Sequence, residues 1–476
     1  MKKSLTLGLA LFALIWISGT VIVPMHIPDF LPPEDCLELP ETLFNYADIQ
    51  LPPHLTTPAL QNADNTPADN PITDEGATLG RVLFYDPKLS VSNTQSCASC
   101  HKQEFAFTDN RQFSRGFQGG FTRRNSTSLS MARFYANQHF FWDERAIDLE
   151  AQTLMPIQDP LEMGMTLEDL VIKLTATEYY PPLFAAAFGT EEITTDRMAK
   201  AMAQFIRSMV SYQSEFDAGL AMVPAGTPPL APFPNFTAQE NLGKAVFFDP
   251  ARGNCGVCHG TTAFVLPAPR NNGLDAVYGD NGVGEITGIT SDNGFFKVPS
   301  LRNVEITGPF MHDGRFENLE DVIEHYNSGV QNHPNLSPVL RVAGPNSPPR
   351  QLNLTNEEKS GLVAFLKTLT DFEFISDERW SDPFCDPATT GLDDLLAANA
   401  FTVSPNPAKE SIHLQIKGGH DAKHHVKLID AAGKLVFNTL FQGADYWLDI
   451  QSLPSGVYFL QLETGDSRIS KKVVKH

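Results

Sequence analysis

The strongest constraint on this chain is a five-residue pattern that occurs twice. Cys97-Ala98-Ser99-Cys100-His101 and Cys255-Gly256-Val257-Cys258-His259 both read C-x-x-C-H. In such a pattern the two thiols form thioethers to the vinyl groups of haem, and the histidine that follows is held against one face of the ring as an iron ligand. We therefore predict two covalently bound c-type haems, with His101 and His259 as the proximal iron ligands.

Two other interpretations of the paired cysteines compete with haem attachment. A thioredoxin-like redox pair also reads C-x-x-C, but it does not require the histidine that follows both pairs here. A four-cysteine zinc site would need the two pairs to come together, although 158 positions separate them. Haem attachment accounts for the whole pentad in both places, so we favour it.

The sequence around each pentad is repeated as well. Residues 79–87 and 242–250 precede the two pentads, and five of their nine positions are identical. A D-x-R-x-x-x-L-E pattern follows each pentad, at residues 143–150 and 313–320. This duplication indicates a tandem pair of homologous haem domains.

The spacing of apolar residues predicts the secondary structure. Apolar residues three and four positions apart favour helices over residues 195–216 and 356–369. From about Phe401 the pattern changes to alternation, as in residues 411–416 and 456–462, which favours a small antiparallel sandwich. The predicted fold class is therefore mainly α, with two tandem cytochrome c-like haem domains followed by a small all-β immunoglobulin-like sandwich.

The start of the chain is typical of an export signal. Lys2 and Lys3 precede an apolar run over residues 5–17, and small residues follow it. Because residues 21–23 lengthen this run toward the roughly 20 residues that span a bilayer, an uncleaved membrane anchor stays open as the alternative. We predict an exported protein that is periplasmic, exposed at the cell surface or secreted.

Composition shifts suggest the domain boundaries. A proline-rich stretch over residues 224–234 separates the two repeats. The predicted organisation is a signal peptide at 1–23, a lead segment at 24–72, a first haem domain at 73–222, a linker at 223–235, a second haem domain at 236–390 and the C-terminal sandwich at 398–476.

Two of the six cysteines lie outside the pentads. Cys36 precedes the first haem domain and Cys385 lies near the end of the second. They could form a disulfide in an oxidising environment, but the sequence does not show whether they meet.

Alignment of the two repeats exposes a difference between the haem sites. Trp142 falls opposite His312, and fourteen residues further on the first repeat has Pro156 where the second has Tyr326. If this position faces the distal side of each haem, the second iron can take a phenolate ligand, whereas proline has no ligating atom. We therefore expect one haem that is closed for electron transfer and one that is open to a small oxidant.

From residue 73 to residue 382 the chain resembles the bacterial di-haem cytochrome c peroxidase family, which includes MauG. The resemblance implies that the first haem is peroxidatic and that electrons enter through the second. Beyond the pentads it rests on Ala106-Phe107-Thr108-Asp109, Arg124-Asn125, Phe141-Trp142-Asp143, Gln152, Pro156, Glu162-Met163, Pro299-Ser300-Leu301-Arg302-Asn303 and His312-Asp313-Gly314.

The resemblance implies catalytic roles for three residues. Glu162 would move a proton between the two peroxide oxygens, and Gln152 would help to orient the peroxide. Trp142 would lie between the haems, where its electron-rich ring could relay charge. Without the resemblance, Trp142 would be interpreted as a core residue and Glu162 as a surface carboxylate.

The resemblance also implies metal ligands. Tyr326 would be the distal ligand of the second haem iron, in preference to its neighbour His325. Other members carry methionine there, which raises the haem potential, whereas an anionic phenolate stabilises ferric iron and lowers it. Oxygen atoms of Asn125, Thr307 and Pro309 match the family's calcium site, and oxygen ligands suit this hard cation. We therefore expect one calcium ion.

The loop after the first pentad departs from the family pattern. Many members close the oxidised peroxidatic haem with a histidine in this loop, but residues 102–138 contain none. This difference predicts a first haem that needs no reductive opening step before it meets peroxide.

The final residues resemble a second family. From about residue 401 the chain is similar to the C-terminal sorting domain of type IX secretion substrates, including the basic end at Lys471, Lys472 and Lys475. This resemblance implies export across an outer membrane. A generic immunoglobulin-like accessory module is the alternative.

These features predict a peroxidase that reduces hydrogen peroxide to water with electrons from a small cytochrome c or cupredoxin. One alternative is a MauG-like enzyme that uses peroxide to oxidise tryptophan or tyrosine residues of a partner protein, and a second is a non-catalytic electron-transfer or haem-sensing protein. The net charge of −21 disfavours nucleic acid and favours basic partners. Whether the chain forms a homodimer stays open.

Overall fold

The computed structural model describes residues 36–385, 401–416, 423–430, 434–464 and 467–476. The predicted signal peptide at residues 1–23 lies outside these ranges. Among the helices within them, none has both the length and the apolar character that crossing a membrane requires.

The described residues before 386 form a mainly helical body. Its α-helices are α1 (Pro58–Gln61), α2 (Asp74–Tyr85), α3 (Cys97–Cys100), α4 (Leu149–Gln158), α5 (Leu167–Thr175), α6 (Tyr180–Phe188), α7 (Thr195–Ser208), α8 (Glu215–Ala221), α9 (Ala238–Phe248), α10 (Gly256–His259), α11 (Val283–Thr287), α12 (Leu319–Glu324) and α13 (Asn356–Lys367). A π-helical turn at His325–Gly329 continues α12. Single 3-10 turns lie at Pro53–Leu55, Pro87–Leu89, Gln103–Phe105, Ala132–Phe134, Thr290–Asp292, Val304–Ile306, Pro338–Leu340 and Glu378–Trp380.

Equivalent helices cross in the two repeats. Helix α2 packs against α7, and α9 packs against α13. A Cβ atom on Gly80 would lie 2.0 Å from the carbonyl oxygen of Ala201, and one on Gly243 would lie 1.8 Å from that of Gly361. Glycine, which has no Cβ, lets the two backbones approach this closely. The repeated Leu-Gly dipeptide of the sequence therefore sets the spacing of both helix pairs.

The apolar faces of the crossing helices fill two cores. Around α2 and α7 the fully buried side chains include Leu79, Val82, Leu83, Met198 and Met202. Around α9 and α13 the buried side chains include Val246, Phe247, Phe264, Leu362 and Phe365. The pentad helices α3 and α10 pack against α2 and α9, so each haem attachment site adjoins the crossing in its own repeat.

Helix α7 is shorter than the sequence predicted, whereas α13 agrees with the prediction to within two residues. The apolar period favoured one helix over residues 195–216, but α7 ends at Ser208. The backbone N–H groups of Tyr212 and Gln213 each donate to the carboxylate of Asp371 at 2.8 Å. The buried carboxylate of Asp371 thus accepts the hydrogen bonds that helical carbonyls would otherwise accept. The helix therefore ends although the helical spacing of apolar residues continues.

The segment before α2 packs against both repeats. Asn65 Nδ2 donates to a backbone carbonyl of the first repeat at 2.7 Å, and Thr262 of the second repeat donates to the carbonyl of His54 at 2.6 Å. Cys36 and Cys385 form a disulfide. The sequence did not show whether these two cysteines meet. The disulfide joins this segment to the end of the helical body.

The C-terminal residues form the predicted antiparallel sandwich. Its strands are β1 (Phe401–Ser404), β2 (Ser411–Ile416), β3 (Lys423–Asp430), β4 (Leu435–Gln442), β5 (Asp445–Asp449), β6 (Gly456–Thr464) and β7 (Ser467–Lys475). They pair as β1-β2-β5 and as β4-β3-β6-β7. Alternate side chains of β2, namely Ile412, Leu414 and Ile416, are buried between the sheets. Lys472 Nζ donates to the carbonyl of Ile375 at 2.9 Å, so the sandwich contacts the helical body.

We expect Gly243→Ala to lower the free energy of unfolding by about 1–2 kcal/mol. The added methyl group forces α9 and α13 apart, which costs up to about 3 kcal/mol, and the ~1 kcal/mol that alanine gains over glycine inside a helix offsets part of that cost. Denaturant titration of the purified variants measures the difference. Gly120→Ala is the control, since a Cβ atom there meets nothing within 4 Å. Equal stability of the two variants would show that the crossing tolerates a side chain.

Candidate active site

Each pentad folds as a single helical turn. Cys97 and Cys100 begin and end α3, while Cys255 immediately precedes α10, which contains Cys258. Side chains three positions apart lie on the same side of a helical turn, so both thiols of a pair can reach one ring edge.

A backbone carbonyl orients each pentad histidine. His101 Nδ1 lies 2.8 Å from the carbonyl oxygen of Phe107, and His259 Nδ1 lies 3.1 Å from that of Phe264. Because a carbonyl oxygen only accepts, Nδ1 carries the proton and Nε2 keeps its lone pair for iron. Burial lowers the pKa of both imidazoles, that of His259 to about 4, which favours the neutral form that ligates iron.

The first cavity is lined by the first pentad and by Gln152, Pro156 and Glu162. Gln152 and Pro156 stand one turn apart on α4, which brings their side chains to the same side of the helix. Proline offers no ligating atom to the cavity, whereas Gln152 brings an amide and Glu162 a carboxylate.

Glu162 has an environment that suits proton transfer. Burial raises its pKa to about 7; the negative charge of Asp159 acts in the same direction, and the positive charge of Arg145 opposes both. A group with a pKa near the working pH can both accept and return a proton.

The second cavity is lined by the second pentad and by Tyr326. Tyr326 lies on the π-helical turn that continues α12, a rare geometry that often occurs at functional sites. Its neighbour His325 is absent from the residues that line this cavity, and His325 Nε2 bonds instead to the carbonyl of Asn272 at 3.2 Å. The structure therefore brings Tyr326 together with His259.

The two cavities share a wall, and Trp142 lines both of them. The Trp142 indole Nε1 donates to the carbonyl of Asn125 at 2.9 Å. The Asn125 side chain donates through Nδ2 to two backbone carbonyls, at 3.1 and 3.2 Å, which directs its Oδ1 away from them. Asn125, Thr307 and Pro309 all line the second cavity. His312, opposite Trp142 in the repeat, stacks on a phenylalanine ring with centroids 3.8 Å apart.

The sequence did not predict a cluster of Tyr135, Glu144 and Lys297 at this shared wall. Lys297 lines both cavities, and its Nζ lies 3.9 Å from the centre of the Tyr135 ring. The Tyr135 hydroxyl donates to Glu144. One signal for the cluster was present in the repeats, because Glu144 stands where the second repeat has Gly314.

Comparisons with known proteins agree with this arrangement. Residues 74–222 match the model of the family described as di-haem cytochrome c peroxidase. The methylamine utilization protein MauG of Methylophilus methylotrophus is 34% identical over 304 residues, which cover 64% of this chain and 84% of that protein. The chain belongs to the di-haem cytochrome c peroxidase and MauG family.

Further relatives support the same assignment. The cytochrome c551 peroxidase of Nitrosomonas europaea is 33% identical over 310 residues, which cover 64% of this chain and 82% of that protein. A MauG-like protein associated with microbial copper homeostasis, known from a crystal structure, matches with a TM-score of 0.59 and 33% identity, over 71% of this chain and 99% of that one. The chain is therefore a di-haem peroxidase, an oxidoreductase.

The C-terminal sandwich has its own match. Residues 402–476 match the model of a secretion system C-terminal sorting domain. This finding confirms the sequence prediction of a sorting domain, and it marks the chain as an exported protein.

Family membership implies two c-type haems, and the chemistry of each cavity fits one haem. Each cavity presents two cysteines and a histidine whose Nε2 is available for iron. The remaining walls are largely apolar, as a buried porphyrin requires. They include Phe84, Leu129, Met131, Met202 and Ile206 in the first cavity, and Leu319, Val322, Ile323, Leu362 and Leu366 in the second.

Proposed function

We propose that the protein reduces hydrogen peroxide to water at the first cavity with electrons that enter through the second. The contrast between the cavities is the observation that supports this most strongly. Pro156 and Glu162 line the first, and Tyr326 lines the second. One site has room and an acid–base group for peroxide, while the other has a side chain able to occupy the iron.

The side chains of the first cavity would supply proton transfer and orientation. Haem, when bound, supplies the iron that takes up peroxide and the redox chemistry that breaks its O–O bond. Glu162 accepts the proton of the nearer peroxide oxygen and gives it to the farther oxygen, which then leaves as water. The amide of Gln152 orients the peroxide by hydrogen bonding. Two electrons and two protons in total convert one peroxide to two water molecules.

Electrons would reach the first cavity through the shared wall. Trp142 is the large aromatic residue that lines both cavities, so its ring offers the relay. The net charge of −21 favours a basic electron donor, such as a small cytochrome c or a cupredoxin.

A MauG-like reaction is the second function that specific observations favour. In it, tryptophan or tyrosine residues of a partner protein would supply the electrons. Tyr326 and the absence of histidine from residues 102–138 support it, and relatives of both kinds are similarly close, at 34% and 33% identity. Rapid peroxide-dependent oxidation of a reduced cytochrome or cupredoxin would favour the first function. Slow donor turnover with modified aromatic residues on a co-expressed partner would favour the second.

We also propose that a calcium ion is held by Asn125 Oδ1 and the carbonyl oxygens of Thr307 and Pro309. Three oxygen atoms and added water suit this cation. The ion would fix Asn125, whose backbone carbonyl accepts the hydrogen bond from Trp142. Calcium would therefore stiffen the wall between the two cavities.

Removal of calcium by a chelator should slow electron transfer between the two haems, because Trp142 loses its fixed acceptor. Metal analysis of the purified protein should find about one calcium per chain. Stopped-flow reduction kinetics before and after chelation measure the effect, and added calcium should restore the rate. A calcium-free protein with an unchanged rate would rule out this role.

Replacement of Glu162 by glutamine should slow the reaction with peroxide by about 10²–10⁴-fold, the usual contribution of an acid–base group. In the unaltered protein the rate should fall as the pH drops below about 7, because Glu162 must be ionised to accept the first proton. Glu162→Gln should abolish this pH dependence. Stopped-flow mixing with peroxide measures both effects. Glu168→Gln, at an exposed position of α5, is the matched control, and equal rates in the two variants would exclude Glu162.

Replacement of Tyr326 by methionine should raise the reduction potential of the second haem, since a neutral thioether stabilises ferric iron less than a phenolate does. Spectroelectrochemical titration of the purified variant measures the shift. His325→Gln is the control, because His325 bonds to Asn272 instead of lining the cavity. A reduction potential that changes in His325→Gln but not in Tyr326→Met would show that His325, and not Tyr326, binds the iron.

A further inference from the structure

A buried cluster behind the shared wall takes no part in the reaction proposed above. Tyr135 is fully buried, and its hydroxyl donates to Oε1 of Glu144. Asn137 Nδ2 donates to the other carboxylate oxygen of Glu144 at 2.9 Å. The Lys297 Nζ lies 3.9 Å from the centre of the Tyr135 ring. The cluster therefore joins an oxidisable ring, a carboxylate and a cation in one place.

The backbone at Glu144 is in a conformation that disfavours a side chain. Its φ is +57°, and at the equivalent position of the second repeat Gly314 has a φ of +61°. A non-glycine residue in this region is strained. The first repeat nevertheless carries a glutamate there, held by two hydrogen bonds. Strain of this kind points to a use for the carboxylate.

The cluster adjoins the path of the oxidising equivalents. Phe140 and Lys297 line the first cavity, and the ring of Tyr135 lies 6.1 Å from that of Phe140. The backbone N–H of Lys297 donates to the carbonyl of Trp142 at 2.8 Å. Tyr135 is thus separated from the first cavity by one layer of side chains.

We propose that Tyr135 is a redox-active tyrosine whose proton passes to Glu144 when the ring is oxidised. The step rests on the proposed function, because peroxide supplies the oxidant. Tyr135 gives one electron to the peroxide-oxidised site of the first cavity and its phenolic proton to Glu144 Oε1. The products are a neutral tyrosyl radical and a carboxylic acid, and one electron from the donor reverses both transfers. Tyr135 would thereby store an oxidising equivalent away from the haems.

The surroundings require the proton to leave with the electron. Burial and the charge of Glu144 raise the pKa of Tyr135, so the resting phenol keeps its proton. Burial lowers the pKa of Lys297 to about 8, so its amine is still mainly an ammonium group at neutral pH. This charge above the ring makes a cation radical of Tyr135 unfavourable. Trp142 differs, because its N–H donates to a backbone carbonyl, which is too weak a base to take a proton.

Two other buried tyrosines serve as matched controls. Tyr46 is in the same apolar core as Tyr135, but its hydroxyl donates to a backbone carbonyl, that of Arg379. Tyr180 donates to a carboxylate, that of Asp86, at 2.6 Å, but it lies in the core around α2 and α7. Tyr46 therefore tests whether the acceptor must be a carboxylate, and Tyr180 tests whether the tyrosine must lie in the same core as Tyr135.

The experiment is freeze-quench EPR of the full-length haem-loaded protein after one equivalent of hydrogen peroxide. We expect a radical signal whose hyperfine structure narrows when the protein contains ring-deuterated tyrosine. The signal should be lost in Tyr135→Phe and lose most of its amplitude in Glu144→Gln, and it should persist in Tyr46→Phe and Tyr180→Phe. Glu144→Gly removes the proton acceptor and suits the backbone, so its loss of signal tests the proposal even if Tyr135→Phe does not fold.

Stopped-flow absorption of the same samples separates this proposal from the function on which it rests. If the haem bands respond to peroxide but the radical is insensitive to deuteration, or survives in Tyr135→Phe and Glu144→Gly, the tyrosine proposal is wrong and the peroxidase function stands. If the haem bands respond neither in the fully oxidised protein nor after one haem has been reduced, the proposed function is wrong. In that case a photogenerated ruthenium(III) oxidant replaces peroxide, and the EPR signals of the same variants are compared. A radical that needs both Tyr135 and Glu144 would support the role of Tyr135 independently of peroxide.

Discussion

The close crossing of two helices at a glycine is the constraint on which both candidate haem sites depend. In each repeat the crossing packs a buried apolar core against the short helix that carries the C-x-x-C-H motif. The motif then turns so that a backbone carbonyl takes the Nδ1 proton of its histidine, at His101 and again at His259. A gene duplication that preserves this packing yields two similar cavities, and their chemistry differs through the side chains that line them.

Those differences lie at equivalent places and on the shared wall. Pro156 lines the first cavity and Tyr326 lines the second, and we propose that this difference decides whether a side chain can bind the iron. On the wall between the cavities, Trp142 is fixed by a hydrogen bond to Asn125, and Glu144 replaces the glycine of the second repeat. The difference between Pro156 and Tyr326 would separate peroxide chemistry in the first cavity from electron entry through the second. The residues of the wall would then govern how oxidising equivalents move between the sites and how long they last.

Much of this could be predicted from the sequence because covalent motifs and apolar periods are local. The pentads, the asymmetry at Pro156 and Tyr326, and the alternation that builds the sandwich needed no tertiary information. The end of α7 at Ser208 did, because the competing acceptor is Asp371, far away in the chain. The pairing of Cys36 with Cys385 likewise depends on how the chain closes on itself. The roles proposed for Tyr135 and Glu144 could not be predicted either, because their hydrogen bond and their burial depend on the tertiary structure.

We expect the first cavity to be open to peroxide in the fully oxidised protein. The most direct test adds one equivalent of hydrogen peroxide to that form and follows the Soret and near-infrared bands by stopped flow. We predict an immediate spectral change, because no protein ligand stands at the position of Pro156. If the spectrum stays unchanged until one haem has been reduced, the first cavity is closed in the oxidised protein, and another ligand must occupy the first haem.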